Sequence, residues 1–350
     1  MDAATGHVID ERREASGARV LFSSCAPGNT TAREKTFANF LRKQLRLMAG
    51  NDVALLDGAS VVISGMASSS VGWRELPYAH VPVGLDGSGL TQDFFELNVG
   101  DHRRMRIHLI SGVCAETDMM RGEETEILGL FSGGRHARIA EDGIAVLPGT
   151  HSKHVRLRHR QITGFRTYMT GELFDVLSAH SLLRASVQPT NGAPSTTLRQ
   201  PAAHDAFVAG VRESSVAGLA GGLFQTRVRT VLQNVSPTVN RWFLSGLLIG
   251  SELVDLMAQK SDVPILLAAS EPLNVAYRAA FEILGFGETL SVVPPEEMSL
   301  ALVRGHAALL RCLQHANSAE MQCRDFALQL LPFEKATRNV WESSDLGSQA

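Results

Sequence analysis

The sequence predicts an α/β protein of two domains. Apolar runs typical of strands recur with helical stretches between them, as where "DVPILLAAS" (262–270) precedes "NVAYRAAFEILG" (274–285). Strands that alternate with helices indicate α/β architecture. The chain has 350 residues, which is more than one hydrophobic core comfortably supports, so a second domain is expected.

Composition and charge narrow the class of protein. The chain is 44% apolar and 20% charged with a formal net charge of -3, as in ordinary globular proteins, so we expect no nucleic-acid partner and no membrane partner. The four cysteines show neither a CxxC pair nor metal-ligand spacing, and the polar N-terminus does not resemble a signal peptide. A cytoplasmic protein with reduced thiols is therefore expected.

The most apolar stretch is "WFLSGLLIGSELVDLM" (242–257), which predicts a helix buried on all sides. Gly246 and Gly250 lie four residues apart, and without side chains there another backbone can pack close. The stretch contains Glu252 and Asp255 and is shorter than the roughly 20 residues of a membrane span.

A second helix is predicted over "GELFDVLSAHSLL" (171–183). Leu173, Val176, Leu177 and His180 follow the spacing of one helical stripe, which predicts that this stripe, including His180, is buried. Thr170 precedes the helix and is expected to be its N-cap.

The stretch "GIAVLPGTHSKHVRLRHRQ" (143–161) predicts a strand, a turn and a second strand. The turn over 148–153 offers backbone amides, two hydroxyls and a lysine, which suit a bound phosphate. It has neither the spacing of a Walker loop nor a GxGxxG pattern. From the residues alone, an ordinary surface turn is the alternative.

Three other polar stretches could belong to a pocket. "MRGEET" (120–125) places Arg121, Glu123 and Glu124 at a predicted helix start, where carboxylates either cap the helix or act as a base or metal contact. Arg166 lies on a strand just ahead of the helix that follows Thr170. "SGMASSSVGW" (64–73) has the small residues of a loop that a ligand approaches closely.

Together the sequence resembles the 2-dehydro-3-deoxygalactonokinase family, also called 2-keto-3-deoxygalactonate kinases. The resemblance covers most of residues 7–310, whereas the tail after about residue 312 is outside it. The blocks that carry it are "VGW.E.PY..VP" (71–82), "MRGEETEILG" (120–129), "LPGTHSKHV" (147–155), "FRTYMTGELFDVLSAHSLL" (165–183) and "FLSGLLIGSEL" (243–253).

The resemblance implies a two-domain actin-like ATPase fold, which is ribonuclease H-like, with an interdomain nucleotide cleft. It implies a carbohydrate kinase that transfers the γ-phosphate of ATP, with Mg²⁺, to the 6-hydroxyl of 2-dehydro-3-deoxy-D-galactonate. On this basis we expect domain I over 1–120, domain II over 121–312, and a C-terminal helix with a disordered tail over 313–350.

The resemblance also implies roles for residues. Glu124, with Glu123 as the alternate, would accept the hydroxyl proton, and Arg121 or Arg166 would hold the substrate carboxylate. Ser70, Trp73 and Tyr78 would line the sugar-acid side, although core or loop packing explains Trp73 and Tyr78 equally well. The phosphates would be held by Gly149, Thr150, His151, Ser152 and Lys153, and adenosine would approach Ala269 and Ser270.

This sequence departs from the family pattern in two places. Members begin with a strand of the type "hhhhDWGTSxLRxW", which supplies a first phosphate hairpin and a metal aspartate, and no such motif is present here. We therefore expect domain I to lack its first strand, with unpaired backbone on neighbouring strands, no direct metal ligand, and either an upstream start or impaired activity. His154 stands where the family usually has tryptophan.

The sequence leaves two alternatives to this kinase activity open. One is a non-catalytic protein that binds a sugar acid or nucleotide on a degenerate kinase fold. The other is a kinase for an epimeric ketodeoxy acid. The sequence does not indicate an oligomeric state.

Overall fold

The computed structural model describes Met1 and residues 7–26, 28–50, 52–100, 103–189, 198–258, 263–317 and 327–328. They form two compact units. Unit 1 comprises the described residues of Met1–Glu141, Leu157–Phe165 and those from Ser299 onward, and unit 2 comprises the described residues of Asp142–Arg156 and Arg166–Met298. Helices and strands are mixed throughout, which confirms the α/β class. The domain boundary between residues 120 and 121 stays a prediction.

Unit 1 contains a sheet of order β13-β1-β5-β4. Strand β1 is parallel to β5 and to β13, and β4 and β5 form an antiparallel pair. Ser60 and Val61 of β1 therefore pair with a strand on each side. The sequence predicts unpaired backbone on the strands beside a missing first strand, and these two residues differ from that prediction. These strands are β1 (Ser60–Ile63), β4 (Gln92–Gly100), β5 (Arg103–Ile110) and β13 (Ala327–Leu328).

Among its described residues before residue 142, unit 1 also contains a small sheet and four α-helices. The three-stranded sheet has order β2-β6-β7, and strand β3 (Val83–Gly84) lies apart from it. The small strands are β2 (Ala79–His80), β6 (Val113–Cys114) and β7 (Met119–Met120), and the helices are α1 (Ala18–Ser23), α2 (Thr30–Ala49), α3 (Glu123–Phe131) and α4 (Ala137–Glu141).

Helix α3 is held tightly against the last long helix, α10 (Pro295–Asn317), by two glycines. A Cβ atom on Gly129 would lie 1.7 Å from the carbonyl oxygen of Ala301, and one on Gly305 would lie 1.9 Å from that of Thr125. Only glycine allows the two backbones to approach this closely. The contact fixes the position of the first turn of α3.

Unit 2 is built on a sheet of order β12-β11-β8-β9-β10, in which β8, β11 and β12 are parallel. Strand β3 pairs with Gln161 and Ile162 of β10, and these residues belong to unit 1. The strands are β8 (Asp142–Leu147), β9 (Ser152–Arg158), β10 (Gln161–Tyr168), β11 (Ile265–Leu267) and β12 (Leu290–Val292).

The helices of unit 2 enclose one core of aliphatic and aromatic side chains that includes Phe207, Trp242 and Phe281. Helix α8 covers the predicted stretch 242–257, and the prediction of close packing at its glycines is confirmed. A Cβ on Gly246 would lie 2.2 Å from the carbonyl oxygen of Phe207. The helices are α5 (Thr170–His180), α6 (Pro201–Val216), α7 (Gly218–Val231), α8 (Pro237–Ala258) and α9 (Leu273–Ile283).

Two predictions for α5 are wrong. The helix begins at Thr170 itself, whose hydroxyl donates to Glu252 instead of capping the helix. The predicted stripe is not the buried face, because Phe174 is buried whereas Val176 and His180 are exposed. Packing of the helix start against the sheet, rather than the pattern of apolar residues, sets its rotation.

Of the helices in the described ranges, none combines the length and apolarity that a membrane span requires. Helix α10 continues to Asn317, and the rest of the predicted tail over 313–350 lies outside the described residues, except for β13.

Candidate active site

The predicted phosphate turn and the predicted adenosine turn lie at the same edge of the unit 2 sheet. Strands β8 and β11 are parallel and in register, with Val146 opposite Leu267, so both strands end at this edge. The turn after β8 carries Gly149 and Thr150, and the turn after β11 carries Ala269 and Ser270. The carboxyl ends of parallel strands are where α/β sheets bind ligands.

The turn between β8 and β9 presents both exposed and buried polar groups. Thr150 and His151 are exposed, and His151 Nε2 lies 2.5 Å from Glu172 Oε2 on α5. Ser152 is buried, and its Oγ accepts from the Gly149 amide at 3.4 Å. The Lys153 side chain is only 3% exposed, and its Nζ donates to the carbonyl oxygen of His151 at 3.1 Å. The lysine is thus folded back along its own hairpin.

The start of α5 packs directly against this turn. A Cβ on Gly171 would lie 2.6 Å from the carbonyl oxygen of Gly149 and 2.7 Å from Thr150 Cα, so only glycine fits there. The Glu172 amide donates to the carbonyl oxygen of Thr150 at 3.1 Å. The N-terminal end of α5, with its partial positive charge, therefore adjoins the predicted phosphate turn.

A buried carboxylate beneath the turn links four elements. Glu252 of α8 accepts from Tyr277 OH at 2.6 Å and from the Thr170 hydroxyl, and its other oxygen lies 2.8 Å from His154 Nε2. Tyr277 OH also lies 3.0 Å from Ser152 Oγ. Burial and the Glu252 carboxylate raise the pKa of Tyr277 well above its ordinary value, so this phenol stays protonated and donates.

The role of Glu252 was not anticipated from the sequence. The sequence does place this carboxylate in a helix predicted to be buried on all sides. A buried charge needs hydrogen-bond partners, so this position could have indicated a polar network. His154, noted as a departure from the family pattern, is one of these partners. The network fixes the base of the hairpin through Ser152 and His154.

A small apolar cleft adjoins the turn. Its walls come from α5, α8, α9 and the hairpin, and they include Gly149, Phe174, Leu248 and Leu273. Across the same edge, Ala269 is buried, Ser270 is exposed, and Asn274 Nδ2 donates to the carbonyl oxygen of Ala269 at 3.2 Å. The cleft thus lies beside the start of α5 and the predicted phosphate turn, and its lining is mainly apolar.

A second group of predicted residues lies in unit 1, around Arg121. Its Nη1 donates to the carbonyl oxygen of Ser68 at 2.6 Å and to Ser68 Oγ at 2.7 Å. Its guanidinium lies 4.1 Å from the centre of the Tyr78 ring. Its Nη2 donates to the carbonyl oxygen of Leu76 at 3.4 Å. Stacking and hydrogen bonds from both terminal nitrogens hold the guanidinium in a fixed orientation.

Glu124 lies in the first turn of α3 and has no exposed surface. Both carboxyl oxygens accept from the Gly122 amide, at 2.9 and 2.7 Å, and Thr125 Oγ1 lies 3.2 Å away. Gly122 has a φ of 111°, which favours glycine, and this conformation turns its amide toward the carboxyl group. Burial, and secondly the charge of Glu123, raise the pKa of Glu124 to about 8.

Glu123 is half-buried, and its Oε2 accepts from the Arg121 amide at 3.0 Å. The structure thus brings Tyr78, Arg121, Glu123 and Glu124 into one cluster. Both glutamates accept hydrogen bonds from backbone amides at the start of α3, which are the contacts expected of carboxylates that cap a helix.

Three further predicted residues lie in different surroundings. Trp73 is 2% exposed, stacks with Phe37 and donates from Nε1 to Glu34 at 3.0 Å, as expected of core packing. Ser70 is exposed in the loop after β1. Arg166 is exposed in unit 2, with Nη1 2.8 Å from Asp255 Oδ2.

The predicted phosphate turn lies at the edge of a parallel sheet, and a buried carboxylate with a raised pKa lies in the first turn of α3. Both features are common in enzymes. Comparison with known proteins identifies the family. The model of the 2-keto-3-deoxy-galactonokinase family matches residues 2–303. The chain belongs to this family and is a kinase.

Individual relatives agree with this assignment. The chain is 36% identical over 235 residues to 2-dehydro-3-deoxygalactonokinase of Escherichia coli K12, covering 64% of this chain and 71% of that protein. It is 30% identical over 289 residues to the "Probable 2-dehydro-3-deoxygalactonokinase DgoK1" of Rhizobium meliloti, covering 80% and 83%.

A solved structure is also similar. It is the crystal structure of a "putative 2-dehydro-3-deoxygalactonokinase protein" from Sinorhizobium meliloti, which matches with a TM-score of 0.66 and 29% identity. The match covers 88% of this chain and 90% of the other.

Proposed function

We propose that the chain transfers the γ-phosphate of ATP to the 6-hydroxyl of 2-dehydro-3-deoxy-D-galactonate in galactonate breakdown. The observation that carries the proposal is the family match over residues 2–303. A non-catalytic binder is not favoured, since both relatives described above bear the name of the kinase. The actin-like two-domain organisation and a cytoplasmic location are part of the same proposal.

The donor side of the reaction is assigned to unit 2. The amides and hydroxyls of the turn over 149–153 bind the phosphates of ATP, and the end of α5 adds its partial positive charge. Adenosine lies toward Ala269 and Ser270. The buried Glu252 network acts indirectly, since it holds Ser152 and the hairpin in place.

Magnesium would neutralise charge on the transferring phosphates. No group of three or more His, Cys, Asp or Glu side chains in the described part of the chain forms a metal cage. Mg²⁺ usually binds through phosphates and water with only one or two carboxylates, so its binding does not require such a group.

The acceptor side is assigned to the cluster around Arg121. The substrate 6-hydroxyl oxygen attacks the γ-phosphorus, the bond from that phosphorus to the bridging oxygen breaks, and ADP leaves. The hydroxyl proton passes to the ionised Glu124 carboxylate, whose raised pKa makes it a suitable acceptor near neutral pH. Arg121 binds the substrate carboxylate, with Arg166 as the alternative.

The first test measures ADP release by the purified chain with ATP, Mg²⁺ and 2-dehydro-3-deoxy-D-galactonate, with the gluconate-derived epimer in parallel. We expect ADP release that requires the sugar acid. Binding of the sugar acid without ADP release would support the non-catalytic alternative, and faster turnover of the epimer would replace the assigned substrate.

The two arginines serve as controls for each other. Arg121→Lys keeps the charge but removes the planar fork, so KM for the sugar acid should rise about tenfold or more while KM for ATP stays unchanged. Arg166→Lys should leave both values unchanged, because Arg166 is exposed and paired with Asp255. The opposite pattern would assign the carboxylate to Arg166.

A further inference from the structure

The small sheet of unit 1 presents two rows of side chains with opposite character. Register pairs Ala79 with Val113 and Val113 with Met120, and all three of these side chains are buried. The next positions along the strands form a second row, in which Cys114 lies opposite both His80 and Met119. Directly opposed residues share one face of a sheet, so the second row is the outer face.

The outer row is accessible and consists of three potential metal ligands. His80 is exposed, Cys114 is half-buried, and Met119 is 61% exposed. Cys114 and Met119 are directly opposed on antiparallel strands, where Cβ atoms lie about 4.5–5.5 Å apart, a distance that one bound ion can bridge.

The distance between the first two ligands fits a shared metal ion. Cys114 Sγ lies 3.5 Å from His80 Nδ1. An ion bound at about 2.3 Å from sulfur and about 2.0 Å from nitrogen, in tetrahedral geometry, places these atoms about 3.5 Å apart. The pair can therefore chelate an ion without a change in the backbone.

We propose that His80, Cys114 and Met119 form a binding site for a soft, thiophilic cation of the Cu(I) type. Imidazole, thiolate and thioether together select a soft ion, whereas a thioether contributes little to the binding of harder ions such as Mg²⁺. Binding displaces the thiol proton of Cys114 to solvent, and no electron is transferred. The site is separate from the assigned phosphate turn and does not depend on the proposed function.

The residues of this site are close in sequence to the cluster around Arg121. His80 lies two residues after Tyr78, and Met119 lies two residues before Arg121. The outer strands of the small sheet thus lead directly into the stacked Tyr78 and Arg121 side chains.

The experiment measures Cu(I) affinity by anaerobic competition with a chromophoric Cu(I) chelator, without ATP or sugar acid. The full chain is used with Cys25, Cys312 and Cys323 replaced by serine, so that Cys114 is the only thiol. We expect one Cu(I) per chain. Cys114→Ser should abolish binding.

Met119→Leu provides the decisive comparison because it changes an exposed side chain and preserves the strand. It should weaken Cu(I) binding about tenfold or more and leave Zn²⁺ binding unchanged. Met169→Leu is the matched control, since Met169 is also exposed, at 48%. Equal Cu(I) affinity in the two leucine variants, or no Cu(I) retained against the chelator, would overturn the proposal.

Discussion

Glu124→Gln tests the assigned base through two independent consequences of one buried carboxyl group. Glutamine is close in shape to a protonated glutamate and cannot accept the hydroxyl proton. If Glu124 is the base, kcat should fall about 100-fold or more, while KM for ATP changes little. The ATP-binding groups assigned above lie in unit 2, whereas Glu124 lies in unit 1.

The raised pKa predicts the pH dependence of the reaction. With a pKa of about 8, only about a tenth of Glu124 is ionised at pH 7, so kcat/KM should rise about tenfold per unit up to that value. Glu123→Gln is the matched control. It keeps the base but removes the neighbouring charge that helps to raise the Glu124 pKa, so its profile should move to lower pH.

The same raised pKa predicts that the free energy of unfolding falls as the pH rises, whereas kcat/KM rises. Because the folded pKa of about 8 exceeds the ordinary glutamate pKa of 4.5, the stabilising contribution of protonated Glu124 is full below pH 4.5. It is lost as the pH rises through 8, by up to about 5 kcal/mol. Glutamine cannot ionise, so Glu124→Gln should gain about 1.4 kcal/mol per pH unit relative to the unchanged chain across pH 5–8.

Urea unfolding at pH 5, 6, 7 and 8, together with the kcat/KM profile, measures both effects. An unchanged kcat in Glu124→Gln would remove this residue from the mechanism and leave Glu123 as the candidate. A stability difference that does not vary with pH would show that the carboxyl group is not buried as described.

Three further predictions concern the hairpin and the two cores. If the Lys153 ammonium contacts phosphate, Lys153→Ala should raise KM for ATP or lower kcat about tenfold or more, and unchanged kinetics would remove Lys153 from the phosphate site. Glu252→Gln should lower the free energy of unfolding by about 3 kcal/mol, because three buried partners lose a charged acceptor. The control Asp255→Asn on the same helix should lower it by less than about 1 kcal/mol. Equal losses of the two variants in urea unfolding would refute the network. Burial, and then the charge of Arg106, lower the pKa of His108 to about 4, so the contribution of His108 to stability should fall by about 3 kcal/mol as the pH drops from 6.5 to 4. The difference in free energy of unfolding between the unchanged chain and His108→Leu measures this contribution, and a difference that does not vary with pH would contradict this cause.

Much of the fold could be predicted from the sequence, because the relevant signals are local. Alternating strand and helix patterns gave the α/β class, and two glycines four residues apart gave the close packing of α8. The hairpin over 143–161 was predicted from an apolar run followed by turn residues. These features depend on backbone sterics and on periodicity within a few residues of the chain.

The family resemblance was likewise predicted from residues and is confirmed by the comparisons. The roles of the individual site residues remain predictions. The structure supplies their surroundings, such as the stacked Arg121 and the core position of Trp73.

Only the tertiary structure decided which polar groups are buried and what they bind. Thr170 was expected to cap a helix, but its hydroxyl reaches Glu252, 82 residues away, and Glu252 meets His154 from a distance of 98 residues. No local pattern specifies such partners. They arise because the sheet and α8 bring distant segments together in a core where every buried charge must find a donor.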